Sequence, residues 1–114
     1  MGHLSGGLLG YTYAGARTVV LDSSADGYGW FLGTSPQSDN EFSVGGPGSP
    51  LAALPGTAAA GHMDLLTVVL HEMGHLAGRH DVAGSGTDGN LMSTFLATGV
   101  RRTNALDAVF AGGL

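Results

Sequence analysis

No cysteine occurs in the chain. Disulfides and thiolate metal sites are thereby excluded, and a transition-metal ion could be held only by imidazole and carboxylate groups. Lysine is absent too. The four cationic side chains are all arginines, set against nine Asp and Glu, for a formal charge of −5. Nucleic-acid partners normally meet a basic surface, and Arg101-Arg102 is too small a patch to provide one. Charged residues make up 11% of the sequence, against the usual quarter or so. No run approaches the roughly 18 apolar residues of a membrane helix, and the N-terminus carries no basic-then-apolar export signal. Neither nucleic acid nor a membrane is expected as a partner.

What is present in excess is glycine, 21 of 114 residues, where about 7% is usual. Much of the backbone is therefore expected in turns, around a core small for the length. A single domain over 1–114 is expected, with 1–7 a flexible or appended lead-in whose His3 carries no role. Leu8–Tyr13 and Arg17–Asp22 have strand composition. Ala14-Gly15-Ala16 would join them as an antiparallel hairpin. Tyr28–Leu32 is a third extended piece, with Trp30 read as a core anchor ahead of a cleft wall. Residues 43–61 hold five glycines and three prolines and read as a long, irregular surface loop. Residues 82–90 read as a glycine-rich loop. Thr103–Ala111 reads as a closing helix, with Leu106, Val109 and Phe110 on one face and Gly112-Gly113 as its stop. The fold class is α+β: a small, mainly antiparallel twisted sheet packed on one central helix.

That helix is expected over Leu65–Ala77, N-capped by Asp64, with an apolar stripe of Leu66, Val69, Leu70, Met73 and Ala77. His71 and His75 stand four apart, so a helix projects them from one face, one turn apart, as two ligands of one metal ion require. Glu72 lies beside the first, where its carboxylate can reach the attacking water without ligating the metal. Gly78 can adopt positive φ, end the helix and turn the chain back. Two residues compete as third ligand, Asp81 and His80. Asp81 is preferred because the spacing after Gly78 sets which side chain points back. An unrelated histidine pair is disfavoured once Glu72, Gly78 and the downstream loop are all in place. A calcium site is conceivable at Asp22 with Asp26, or at Asp88 with Asn90, although such residues are more often plain turn formers.

The pattern His71-Glu72-x-x-His75-x-x-Gly78-x-x-Asp81 resembles the extended signature of the metzincin metallopeptidases. Leu91-Met92-Ser93 resembles their Met-turn. Most members carry histidine at the last signature position, and aspartate there resembles the snapalysin-type members. The resemblance implies a zinc endopeptidase in which His71, His75 and Asp81 hold Zn²⁺, with His80 as the rival third ligand. Glu72 would act as general base and Met92 would pack beneath the site. Thr18, Val19, Val20 and Leu21 resemble the edge strand of matrixin-like domains, which would take a peptide or protein substrate in extended conformation by strand addition. Leu96–Arg102 would shape the first pocket on the leaving side, with Arg101 and Arg102 solvated or selecting acidic side chains. The same resemblance implies a secreted or cell-surface bacterial protein, expected as a monomer. Two features depart from the family. There is no room before Leu8 for the usual further strand and backing helix, and Thr94 stands where some members place a tyrosine. Both favour, as the alternative, a zinc-stabilised binding or structural module of a larger exported protein. A zinc hydrolase acting on non-peptide substrates is a third reading.

Overall fold

The computed structural model describes residues 2–3, 9–13, 15, 17–25, 27–33, 36–43, 49–103, 106 and 110. Strand β1 is Gly2–His3, β2 is Gly10–Tyr13, β3 is Thr18–Leu21 and β4 is Trp30–Phe31. A 3₁₀ turn over Pro36–Glu41 precedes β5 at Leu51–Ala52 and β6 at Met63–Asp64. Helix α1 spans Leu65–Leu76, and β7 (Phe95–Leu96) and β8 (Val100–Arg101) follow. The class is α+β with one described helix of length.

The expected hairpin is present. β2 and β3 pair antiparallel, Gly10 opposite Leu21 and Tyr13 opposite Thr18. The expectation of one small sheet is corrected. Among the described residues there are four separate two-stranded ladders: β1–β7, β2–β3 and β5–β8 antiparallel, and β4–β6 parallel. Glycine and proline break the chain too often for strands to lengthen and merge. Two further expectations give way to ladders. Gly2–His3, placed in a flexible lead-in, pair with Phe95–Leu96. Within the supposed irregular loop 43–61, Leu51–Ala52 pair with β8, Phe42 bridges Ala53, and Leu51 and Ala59 are buried. The closing helix over 103–111 lies mostly outside the described residues, although Phe110 N–H donates to the Leu106 carbonyl at 2.9 Å. No helix among the described residues is long and apolar enough to cross a membrane.

The core is divided. One cluster gathers Leu9, Met63, Val68, Leu96 and Val100, with Trp30 packed against it as expected of an anchor; the indole N–H donates to the Asp22 carbonyl at 2.8 Å. A second holds Phe31, Phe42 and Leu51, and a third Leu91 and Met92 with Leu70. What joins them is polar. Arg101 and Arg102, expected to be solvated or to select acidic side chains, are fully buried. Each guanidinium meets a carboxylate, Arg101 that of Asp64 and Arg102 that of Asp88. The Arg101 guanidinium donates to both oxygens of buried Asp64, at 3.0 and 2.8 Å, and to Asp39 at 2.8 Å. It also donates to the Gly33 carbonyl and lies 4.8 Å from the centre of the Phe42 ring. Arg102 reaches the carbonyls of Ser85, Asp88 and Phe95.

Asp64 is at once this partner and the N-cap of α1, accepting from Thr67 N–H at 3.3 Å and Thr67 Oγ1–H at 2.7 Å. The helix therefore turns its polar side inward. Thr67, Val68, His71, Glu72 and Gly74 are buried, whereas the anticipated apolar stripe of Leu66, Val69, Leu70, Met73 and Ala77 is only half-buried. Removing Arg101 would strand a buried carboxylate. Arg101→Met is expected to cost about 3–5 kcal/mol, read as a lowered urea midpoint; an unchanged midpoint would show that the pair does not anchor the helix.

Candidate metal centre

Helix α1 ends as its sequence anticipates. Gly78 has φ +89°, a conformation open to glycine and strained for a residue bearing Cβ. Gly78 N–H donates to the His75 carbonyl at 3.1 Å and Arg79 N–H to the Gly74 carbonyl at 2.9 Å, the paired bonds of a Schellman turn. The turn delivers two groups to the histidines. The Arg79 carbonyl lies 2.9 Å from His75 Nδ1. The Asp81 carboxylate places Oδ1 3.0 Å from His71 Nε2 and 3.1 Å from His75 Nε2.

His71 Nδ1 lies 2.7 Å from the Leu91 carbonyl. A carbonyl has no proton to give, so each Nδ1 carries the donated hydrogen, and Nε2 is the ring atom turned to Asp81. The two rings stand edge to face, centroids 4.9 Å apart. Burial pushes the His71 imidazole below its usual range, against the opposing pull of the Leu91 carbonyl, so the ring is held neutral. The two Nε2 atoms and one carboxylate oxygen thus converge on one point.

Glu72 is buried beside them, and its carboxylate, His71 and His75 form a group able to hold a metal ion, with ligand atoms all within 4.8 Å of one another. Glu72 Oε2 is buried without a hydrogen-bond partner, a need that a water or an ion would meet. Burial pushes its pKa up to about 7, with His75 offsetting part of the effect. Thr12 Oγ1 of β2 donates to the Glu72 carbonyl at 3.0 Å, which ties the hairpin to the helix at this residue. Imidazole and carboxylate groups so placed could hold a metal ion.

Each anticipated residue can now be placed. His71, His75, Asp81 and Glu72 come together. His80 is exposed on the wall of a cavity of about 410 Å³ formed by residues 78–82 with Asn90 and Met92; Asp81 is the residue that contacts both rings. Met92 is buried against Leu70 and Leu91. Thr18–Leu21 form the strand of the hairpin that follows β2, and both strands touch α1. Asp88 and Asn90 hold local structure: Asp88 accepts from Ser93 Oγ–H at 2.6 Å and Asn90 Oδ1 from Met92 N–H at 3.0 Å. Asp22 accepts from the Ser24 backbone and hydroxyl, while Asp26 lies outside the described residues. These are the bonds of turn formers. The part of Leu91, which orients His71 through its carbonyl, is invisible in a side-chain reading; its place just before Met92 was the available signal.

The chain matches no protein-family model, no curated protein and no solved structure.

The raised Glu72 value has a signed consequence. With about 7 in the folded state against an ordinary 4.5, the folded carboxyl holds its proton more tightly than the unfolded one. Its contribution to stability is complete below about 4.5 and is lost as the pH rises through about 7. Glu72→Gln stays neutral throughout. In metal-free protein its stability should rise relative to wild type by about 3 kcal/mol between about pH 4 and about pH 8. The opposite slope from His71 is common to both proteins and cancels. Denaturation with chelator present measures the difference, and a pH-independent one would contradict the assignment.

Proposed function

We propose that the chain is a zinc-dependent endopeptidase of the metzincin type. The observation that carries this reading is the convergence of His71 Nε2, His75 Nε2 and Asp81 Oδ1 while both Nδ1 atoms are committed to carbonyls. Two ring nitrogens and a carboxylate oxygen facing one another are held by a shared proton or by a cation, and with both Nδ1 atoms set against carbonyls the arrangement suits a cation. The same donor types also suit ferrous iron. Buried Glu72 favours zinc and hydrolysis, since a carboxylate tuned near neutrality beside the ligands is what a general base for water attack requires.

When bound, zinc would supply Lewis acidity, lowering the pKa of water and polarising a carbonyl. The chain's own part is proton handling and orientation. Glu72 takes the proton of the attacking water at its free oxygen and returns it to the leaving amine as the C–N bond breaks. Asp81 contributes negative charge, which tightens hold on a cation and moderates its acidity relative to a third neutral imidazole. The hairpin, tied to Glu72 through Thr12, offers β3 as the strand on which an extended peptide would add. An exported bacterial protein is the setting consistent with such a peptidase.

The competing reading is a zinc-stabilised module without turnover. Thr94, whose hydroxyl donates to the Val82 carbonyl at 3.2 Å, adds no phenol to the centre. Metal analysis and a casein zymogram with and without chelator separate the two. Glu72→Ala should retain stoichiometric zinc and lose at least about 10²-fold in hydrolysis, whereas Asp81→Ala should lose zinc and His80→Ala should keep it. Cleavage by Glu72→Ala at the wild-type rate would refute the mechanism, and zinc binding without cleavage in wild type would favour the module.

A further inference from the structure

The least explained bonds near the centre belong to side chains that do not touch it. Ser93 is fully buried, and its hydroxyl donates to Asp88 Oδ2 at 2.6 Å. The bond closes the segment 88–93 into a loop with Leu91 inside it. Gly84 makes the closure possible: a Cβ there would fall 2.2 Å from Asp88 Oδ2 and 2.5 Å from Ser93 Oγ. Buried Arg102 holds the loop from outside. Its Nη2 lies 2.9 Å from Asp88 Oδ1 and donates to the Phe95 carbonyl at 2.7 Å and the Ser85 carbonyl at 3.0 Å. Its Nε donates to the Asp88 carbonyl at 2.9 Å. Its own backbone N–H donates to Thr67 Oγ1 of α1 at 3.0 Å, so loop and helix share one anchor. What the loop presents to the helix is the Leu91 carbonyl on His71 Nδ1.

We propose that Asp88 and Ser93, held by Arg102 and admitted by Gly84, are positioning residues for the metal centre: their clasp fixes the Leu91 carbonyl against His71 Nδ1, and so selects the ring form that offers Nε2 to the cation. The metal-affinity part of this inference rests on the proposed centre, whereas the ring-form part concerns the metal-free protein alone. With the clasp open, the Leu91 carbonyl can move and the imidazole hydrogen can pass to Nε2, the nitrogen required as ligand. Hydrogen-bond partners of metal-bound histidines are typically worth about 10- to 100-fold in affinity.

The experiment uses the full chain, wild type and with Ser93→Ala, Asp88→Ala or Asp88→Asn. Two readouts are taken: ¹⁵N NMR of the His71 ring without metal, and Zn²⁺ affinity by competition with a chromophoric chelator. Wild type should show a single Nδ1–H form. Ser93→Ala and Asp88→Ala should each show mixed ring forms and bind Zn²⁺ about 10- to 100-fold more weakly, with the double variant no worse than either. Asp88→Asn still accepts from Ser93 and should keep the wild-type ring form. Leu51→Ala, which opens a cavity in the second cluster, should lower the melting temperature and leave both readouts unchanged. Unchanged ring form and affinity in Ser93→Ala would overturn the proposal, as would equal losses in Leu51→Ala. If wild type binds no Zn²⁺ while Ser93→Ala still scrambles the ring, the clasp stands and the metal reading falls. Should the alanine variants not fold, Ser93→Cys, whose thiol is a weak donor to Asp88, takes their place: mixed ring forms uphold the clasp, and the wild-type ring form overturns it.

Discussion

The carboxylate of Asp64 is asked to do three things at once, and the arrangement of the molecule depends on its doing them. It caps α1, it accepts from the Thr67 hydroxyl, and it takes two hydrogen bonds from Arg101. It also ends β6, the strand paired in parallel with β4. A helix start, a strand end and a guanidinium from the last ladder thus meet at one buried anion. Burying these charges is costly unless each is paired and hydrogen-bonded, and here Arg101 finds further acceptors in Asp39 and Gly33. The pairing leaves the helix little freedom to roll.

That constraint explains the inverted burial of α1. An ordinary amphipathic helix turns its apolar stripe to the core. In α1 the first buried residues are Asp64 and Thr67, and continuing along the same face reaches His71 and Glu72. Polar groups drawn inward at the N-terminus place the face of His71 and Glu72 inward at the C-terminus, with His71 against the carbonyl of Leu91. The cost of dehydrating those groups is offset locally, by Leu91 and Arg79 for the imidazoles and by Arg101 for Asp64. Glu72 retains an oxygen with no hydrogen-bond partner.

Much of the centre was legible in the sequence because its information is local. The four-residue histidine spacing, Asp64 as cap and Gly78 as terminator depend on helix geometry alone, and the structure reproduces each. The hairpin of β2 and β3 was legible for the same reason. The sheet arrangement was not: two-residue ladders carry too little periodicity to declare their partners, and the pairing of Leu51–Ala52 with Val100–Arg101 spans a long stretch of chain. The burial of Arg101 and Arg102 was not legible either, because adjacent arginines usually mark a solvated surface. Their burial becomes intelligible only when the carboxylates of Asp64 and Asp88, distant in sequence, are found waiting for them. In a chain this poor in cations, that scarcity was the overlooked signal.

The glycine turn at residue 78 has a bearing on the order in which the molecule assembles. His71, His75 and Asp81 all lie within one helical turn and one reversal of each other, so bringing them together closes only a very short loop and costs little chain entropy. Leu91, Ser93 and Arg102 arrive through longer closures. Proximity of the three groups can therefore form early, as soon as the last helical turn is made, while the orientation of the His71 ring waits for distant parts of the chain. A cation captured at the first stage would bias the unfolded ensemble toward the native turn. The same short segment would then help to nucleate the fold.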